Sequence, residues 1–153
     1  MSYDLMVFEP SVAPRDPAEF RQWFSAQAEW AEDHDYADPT VSSPSLQRWY
    51  AAMVRDYPNL QDPDLTDDQI DAPSVTDYSF GRSVIYCAFR WTIAEQAYET
   101  VRSLAVKHAV GFYDASGDEG DGEIYFPGAE LRVPSGGAWR RVAQEFRDLE
   151  SDQ

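Results

Sequence analysis

The sequence predicts an α+β protein, a mostly antiparallel central sheet with helices packed on it. Two kinds of segment point that way. Short apolar runs bounded by Pro, Gly and Asp read as strands, and longer stretches whose apolar residues recur every three or four positions read as helices. Their order is strand, two helices, hairpin, helix, strand, strand, helix. With the two early helices taken as one crossover, the order becomes β-α-β-β-α-β. That is a ferredoxin-like pattern with an extra early helix, an extra strand and a C-terminal helix, and it places the helices on one face of the sheet. The 153 residues suit one domain, expected at 1–150, burying about two-thirds of its unfolded surface.

Each element has a local reason. Leu5-Met6-Val7-Phe8 is an apolar run ended by Glu9-Pro10 and reads as a buried first strand. Asp16-Pro17-Ala18-Glu19 supplies an N-cap, a first-turn proline and an acid at the third position. Phe20, Trp23, Phe24, Trp30 and Ala31 follow at helical spacing, which predicts a helix over 17–33. After a polar loop, Ser43-Pro44 repeats the cap-plus-proline signature, and Leu46, Trp49, Tyr50, Met53, Val54 and Tyr57 form one face of a second helix closed by Pro58. Residues 59–74, rich in Asp and Pro, read as an acidic surface loop carrying Asp62, Asp64, Asp67, Asp68 and Asp71.

Val75 to Phe80 alternates apolar and polar, Gly81-Arg82 supplies a tight turn, and Ser83 to Arg90 continues as an apolar strand, so the pair reads as a hairpin. Thr92 and Glu95 have the spacing of a capping box for a third helix, with Ala94, Ala97, Tyr98, Val101, Leu104, Ala105 and His108 on its inner face. Val110 to Tyr113 and Glu123 to Phe126 are further strands, and Ala138 to Leu149 a last helix.

Composition bounds the function. Hydrophobic residues at 43% fit a globular chain, and a formal charge of −16 disfavours nucleic acid and anionic lipid while favouring cationic partners. Solubility alone also explains such a charge. No apolar run is long enough to span a bilayer. The start, Met1 to Phe8, has an acid where a signal peptide needs positive charge. Cys87 is the only cysteine and lies in an apolar run, the setting of a buried inert thiol. The expected compartment is the cytoplasm.

No motif for catalysis stands out: there is no Gly-x-Ser-x-Gly elbow, phosphate-binding loop or dinucleotide fingerprint. The acidic turn Asp114 to Ile124 resembles a calcium loop only superficially, because aligning Gly122 with the invariant glycine puts Gly117 and Gly128 where carboxylates must sit. His34 and His108 lack a metal-ligand spacing. His34 reads as a helix-end surface residue and His108 as a partner of the helix dipole. No cofactor, no metal and no catalytic residue is expected.

What remains is acid beside aromatic. Trp30 and Tyr36 are interleaved with Glu32, Asp33, Asp35 and Asp38, and the loop acids run on to Tyr78. One reading is a docking face, in which carboxylates steer a basic partner and rings anchor it. The other is a solvated helix end and loop with the rings in the core. On the first reading the contact residues are Asp33, Asp35, Tyr36, Asp38, Asp67, Asp68 and Tyr78.

Tyr3 to Pro10 with Ala13-Pro14-Arg15-Asp16, Val75 to Ser79, and Val110 to Tyr113 with Glu123 to Pro127 together resemble a family of small acidic bacterial proteins associated with polymorphic toxin systems. The resemblance covers roughly residues 3–127, and its motifs look structural. It implies an immunity protein that neutralises a toxin domain by stoichiometric protein–protein binding; the charge adds the expectation of a basic toxin domain and of no nucleic-acid or membrane partner. The alternative is a small enzyme or small-molecule-binding protein with a pocket between sheet and helices. Oligomeric state is left open.

Overall fold

The computed structural model describes residues 2–117 and 122–128. Its centre is β1 (Tyr3–Phe8), flanked by β3 (Val84–Phe89) and β4 (Gly111–Tyr113). β2 (Asp77–Phe80) lies outside β3 and β5 (Ile124–Tyr125) outside β4, giving the order β2-β3-β1-β4-β5. Every neighbouring pair is antiparallel. The protein is therefore α+β, with a five-stranded antiparallel sheet and four helices among the described residues. The hairpin 75–90 forms as the alternation predicts, with Tyr78 opposite Cys87 and Phe80 opposite Ile85.

Alternation along the strands divides the core in two. Tyr3, Leu5, Val7, Tyr78, Phe80, Ile85, Cys87, Phe89 and Phe112 point to one face. That face is covered by α2 (Pro44–Met53), through Leu46, Trp49 and Met53, and by α4 (Ala94–His108), through Ala97, Tyr98, Val101 and Ala105. Met6, Phe8, Val84 and Tyr113 point the other way, onto Phe20, Trp23 and Phe24 of α1 (Pro17–Gln27). The one-faced arrangement read from the sequence is thus wrong. β1 is apolar on both faces apart from Asp4, and α1 covers the second.

Helix ends differ from the sequence reading in instructive ways. Asp16 caps α1 by accepting from the Glu19 N–H at 3.1 Å, but the helix stops at Gln27 rather than Asp33. Trp30 is left-handed (φ 52°), a conformation that costs a bulky residue about 1–3 kcal/mol and turns its ring onto Tyr36 and Tyr86. α2 ends at Met53, and the Tyr57 N–H still reaches the Met53 carbonyl, so Tyr57 is buried from a following turn. Ser43 makes no side-chain capping bond.

The 59–74 loop is more ordered than its composition predicts. It contains α3 (Asp67–Asp71), closed by a reciprocal box between Thr66 and Gln69. The Leu60 N–H donates to the Thr76 carbonyl, tying the loop to the start of the hairpin. Thr92 is not the cap of α4. It sits inside a 3-10 turn (Trp91–Ile93), and Ile93 occupies the capping position without a side-chain bond. The helix expected at 138–149 and the centre of the acidic turn, 118–121, lie outside the described residues.

Candidate functional site

The acid-aromatic segment folds against the Phe80 end of β2, whose Phe80 N–H donates to the Tyr36 carbonyl at 2.8 Å. Tyr36 is half-buried. Its hydroxyl accepts from the Glu32 N–H and donates to the Glu32 carbonyl, while its ring stands edge-on to Trp30 at 5.1 Å. Glu32 Oε1 pairs with His34 Nε2 at 2.6 Å and accepts the Arg82 backbone N–H at 3.0 Å. Burial works to raise the Glu32 pKa, but the bonds from His34 and Arg82 outweigh it and hold the carboxyl below its usual value. The same bond to Glu32 raises the His34 pKa against a smaller effect of burial. His34 is therefore bonded to Glu32 within the turn, an ion pair when the imidazole is protonated, and not merely a solvated helix end.

The predicted carboxylates fall into two groups. Asp33 and Asp35 are exposed and Asp38 is half-exposed. Two of the three also shape the backbone: Asp35 accepts the Ala37 N–H at 2.9 Å, and Asp38 caps a 3-10 turn (Pro39–Val41) through Thr40 N–H and Oγ1. Those bonds lower the Asp38 pKa. Asp67 and Asp68 are exposed in the first turn of α3. This group lies toward the other end of the hairpin, where Arg90 Nη1 donates to the Asp71 carbonyl at 3.4 Å and Asp77 pairs with Ala88. The two groups thus flank edge strand β2, whose three residue steps span roughly 10 Å.

Tyr78 does not join them. It is 1% exposed, packed edge-on against Tyr50, and its hydroxyl donates to the Tyr57 carbonyl at 2.7 Å. Sequence alternation alone had already put it on the face opposite Asp77 and Ser79, which is the core face. A partner meeting the folded chain cannot use it as an anchor.

The second sheet face holds a cleft whose lining the sequence reading did not identify. It has a volume of about 350 Å³ and is lined by Phe24, Ala28, Trp30, Asp77, Ser79, Tyr86 and Ala88. α1 covers β1 and β4 but leaves this β2–β3 quarter open. Tyr86 is held there by its hydroxyl, which donates to Asp4 Oδ2 at 2.6 Å. Its ring stacks near that of Phe24 (6.4 Å between centroids) and meets Trp30 edge-on at 6.0 Å. The signal was present as the period of two that sends Asp77, Ser79, Tyr86 and Ala88 to one side. It lacked the knowledge that α1 reaches them only with its last turn, through Phe24 and its capping Ala28. A second, more open cleft of about 400 Å³ is lined by Asp56, Tyr57, Ser74, Ile93, Gln96, Glu99 and Thr100.

Other polar groups have structural explanations. Glu123 is buried and receives Arg102 through two parallel bonds, 2.8 and 2.9 Å, together with the Tyr98 hydroxyl. Cys87 is fully buried, and desolvation pushes its thiol pKa well up. His108 ends α4, but burial, with Lys107 and Arg48 nearby, lowers its pKa. A lowered pKa weakens the charge–dipole role read from its position. Among the described residues no group of three or more His, Cys, Asp or Glu is placed to hold a metal ion, and no helix is long and apolar enough to cross a membrane. Compared with known proteins, the chain matches no family model, no curated protein and no solved structure.

Proposed function

We propose that this chain is a binding protein that takes a basic protein partner along the β2 edge, and that the partner is a bacterial toxin domain neutralised by stoichiometric capture in the cytoplasm. One observation carries the binding part: exposed carboxylates at both ends of an edge strand, beside the half-exposed rings of Tyr36, Trp30 and Tyr86. Carboxylates placed so steer a cationic surface and raise the association rate, and desolvated rings slow its departure. The toxin part rests on the resemblance of residues 3–127. The contact set in this reading is Asp33, Asp35, Tyr36, Asp38, Asp67 and Asp68, without Tyr78. The chain has no catalytic role in it.

The test is the association rate with a toxin domain encoded beside the gene. Reversing Asp67 and Asp68 to Lys, both exposed, should slow association several-fold at low ionic strength, with dissociation little changed. An unchanged rate at low salt removes α3 from the interface. The cleft of about 350 Å³ falls at the small end of ligand-site volumes and favours a second reading, a small-molecule-binding protein, which a copurifying ligand would support. We also read the β2-β3-β1-β4 portion of the sheet as a split β-α-β-β-α-β core, with β5 an addition that extends it beyond four strands.

A further inference from the structure

We propose that the cleft between α1 and the outer face of the β2–β3 hairpin is a subsite for one arginine side chain of the partner, an inference that rests on the reading of the chain as a protein-binding module. Three features select a planar cation. The walls are aromatic: the rings of Phe24 and Trp30 stand 6.4 and 6.0 Å from that of Tyr86, and a cation over the face of such a ring is attracted by its negative charge. Among the described residues, the only charged side chain in the lining is Asp77. It is exposed and pairs in the sheet through its backbone, and among the described residues no basic side chain lines the cleft to neutralise it. At the hydroxyl end of Tyr86 a second carboxylate, Asp4, accepts its 2.6 Å bond.

A guanidinium suits this lining better than an ammonium. It stacks flat on indole and phenol rings while its edge forks onto a carboxylate, and it is the more weakly hydrated of the two. The site is also prepared in advance. Tyr86 cannot swing while its hydroxyl holds Asp4, and the left-handed backbone of Trp30 aims the indole at the cleft with Tyr36 packed behind it. A strained residue held by its surroundings is the mark of a positioned group. The cleft and the two acidic groups share the β2 strand, so one partner surface can reach all three.

The test uses the full chain and a single-residue probe, N-acetyl-arginine N-methylamide, followed by nuclear magnetic resonance. The expected result is saturable, millimolar binding that shifts the Trp30 indole N–H and the Ser79 and Ala88 amides. Asp77→Asn should weaken it several-fold without altering the rest of the spectrum. The norleucine analogue, which keeps the aliphatic stem and lacks the cation, should not bind. Equal shifts from norleucine, an unchanged response in Asp77→Asn, or no shift at Trp30 would each overturn the subsite. The lysine analogue binding as tightly as arginine would overturn the choice of guanidinium. If the arginine probe binds while the neighbouring toxin domain does not, the subsite stands and the toxin reading falls. If the domain binds Asp77→Asn as tightly as the native chain and the probe gives no shift, the reverse holds.

Discussion

Gly111 lies in β4 directly against Phe8, so close that a Cβ there would stand 2.2 Å from two ring atoms. Phe8 has no room to retreat, being fully buried with Phe20 at 4.9 Å and Phe126 at 5.2 Å on its flanks. Gly111→Ala should therefore destabilise by about 1–3 kcal/mol, the range for overpacking a filled core, read as a lower denaturant midpoint with unchanged slope. An unchanged midpoint would mean the ring does move. The bidentate pair of Arg102 and Glu123 gives a second prediction at this scale. Their side chains are 17% and 7% exposed, and Arg102→Met would leave a buried carboxylate with its Tyr98 bond alone. The expected cost is about 3 kcal/mol, the lower end for breaking a buried pair, measured by equilibrium unfolding. Half of this site was readable: Tyr98 and Arg102, four apart on a helix, share a face. Their partner at 123 was not, because nothing local links a helix to a strand more than twenty residues onward.

At the scale of the element, the 30–38 turn shows why helix ends are hard to read. Apolar spacing runs through Trp30 and Ala31 as though α1 continued, yet the backbone leaves the helix where a ring finds a better contact across the chain, on Tyr86. The same turn carries a pH dependence. His34, raised from its usual 6.5 by Glu32, contributes stability that is fully present below pH 6.5 and lost as pH rises through its folded pKa. Glu32 is held below its usual 4.5 despite burial, so its contribution is present above pH 4.5 and lost as pH falls through its folded pKa. Both are present together between those two values. The stability gap between the native chain and His34→Gln should be widest in that window and shrink on either side. A gap that stays flat across both titrations would show that the 2.6 Å contact contributes no charge–charge stabilisation.

For the molecule as a whole, the α+β class was legible because periods of two and of three to four are written locally. The sidedness of the helices was misread as one-faced, although β1 held the clue: a strand apolar at Leu5 and Val7 and also at Met6 and Phe8 needs cover on both faces. The residues proposed for docking were legible as charge and not as position, since only the fold ties 33–38 to the Phe80 end of β2 and α3 to Arg90 beyond β3. The charge itself has a consequence that separates folding from binding. At −16 the folded chain repels itself, and raising ionic strength from about 0.01 to 0.15 M shortens the screening length from about 30 to 8 Å. Sodium chloride over that range should stabilise the chain by about 1 kcal/mol, which for this size raises Tm by about 2–4 °C. On the proposed docking reading the same salt should slow capture of a basic partner, because the acids that repel one another in the free chain would be the ones that steer it. The two effects thus carry opposite signs, and a calorimetric scan beside a salt series of association rates measures both. A Tm that falls with added chloride would mean that attractive pairs such as Glu32–His34 outweigh the repulsion; the excess of acid would then lie too far apart to act as one field.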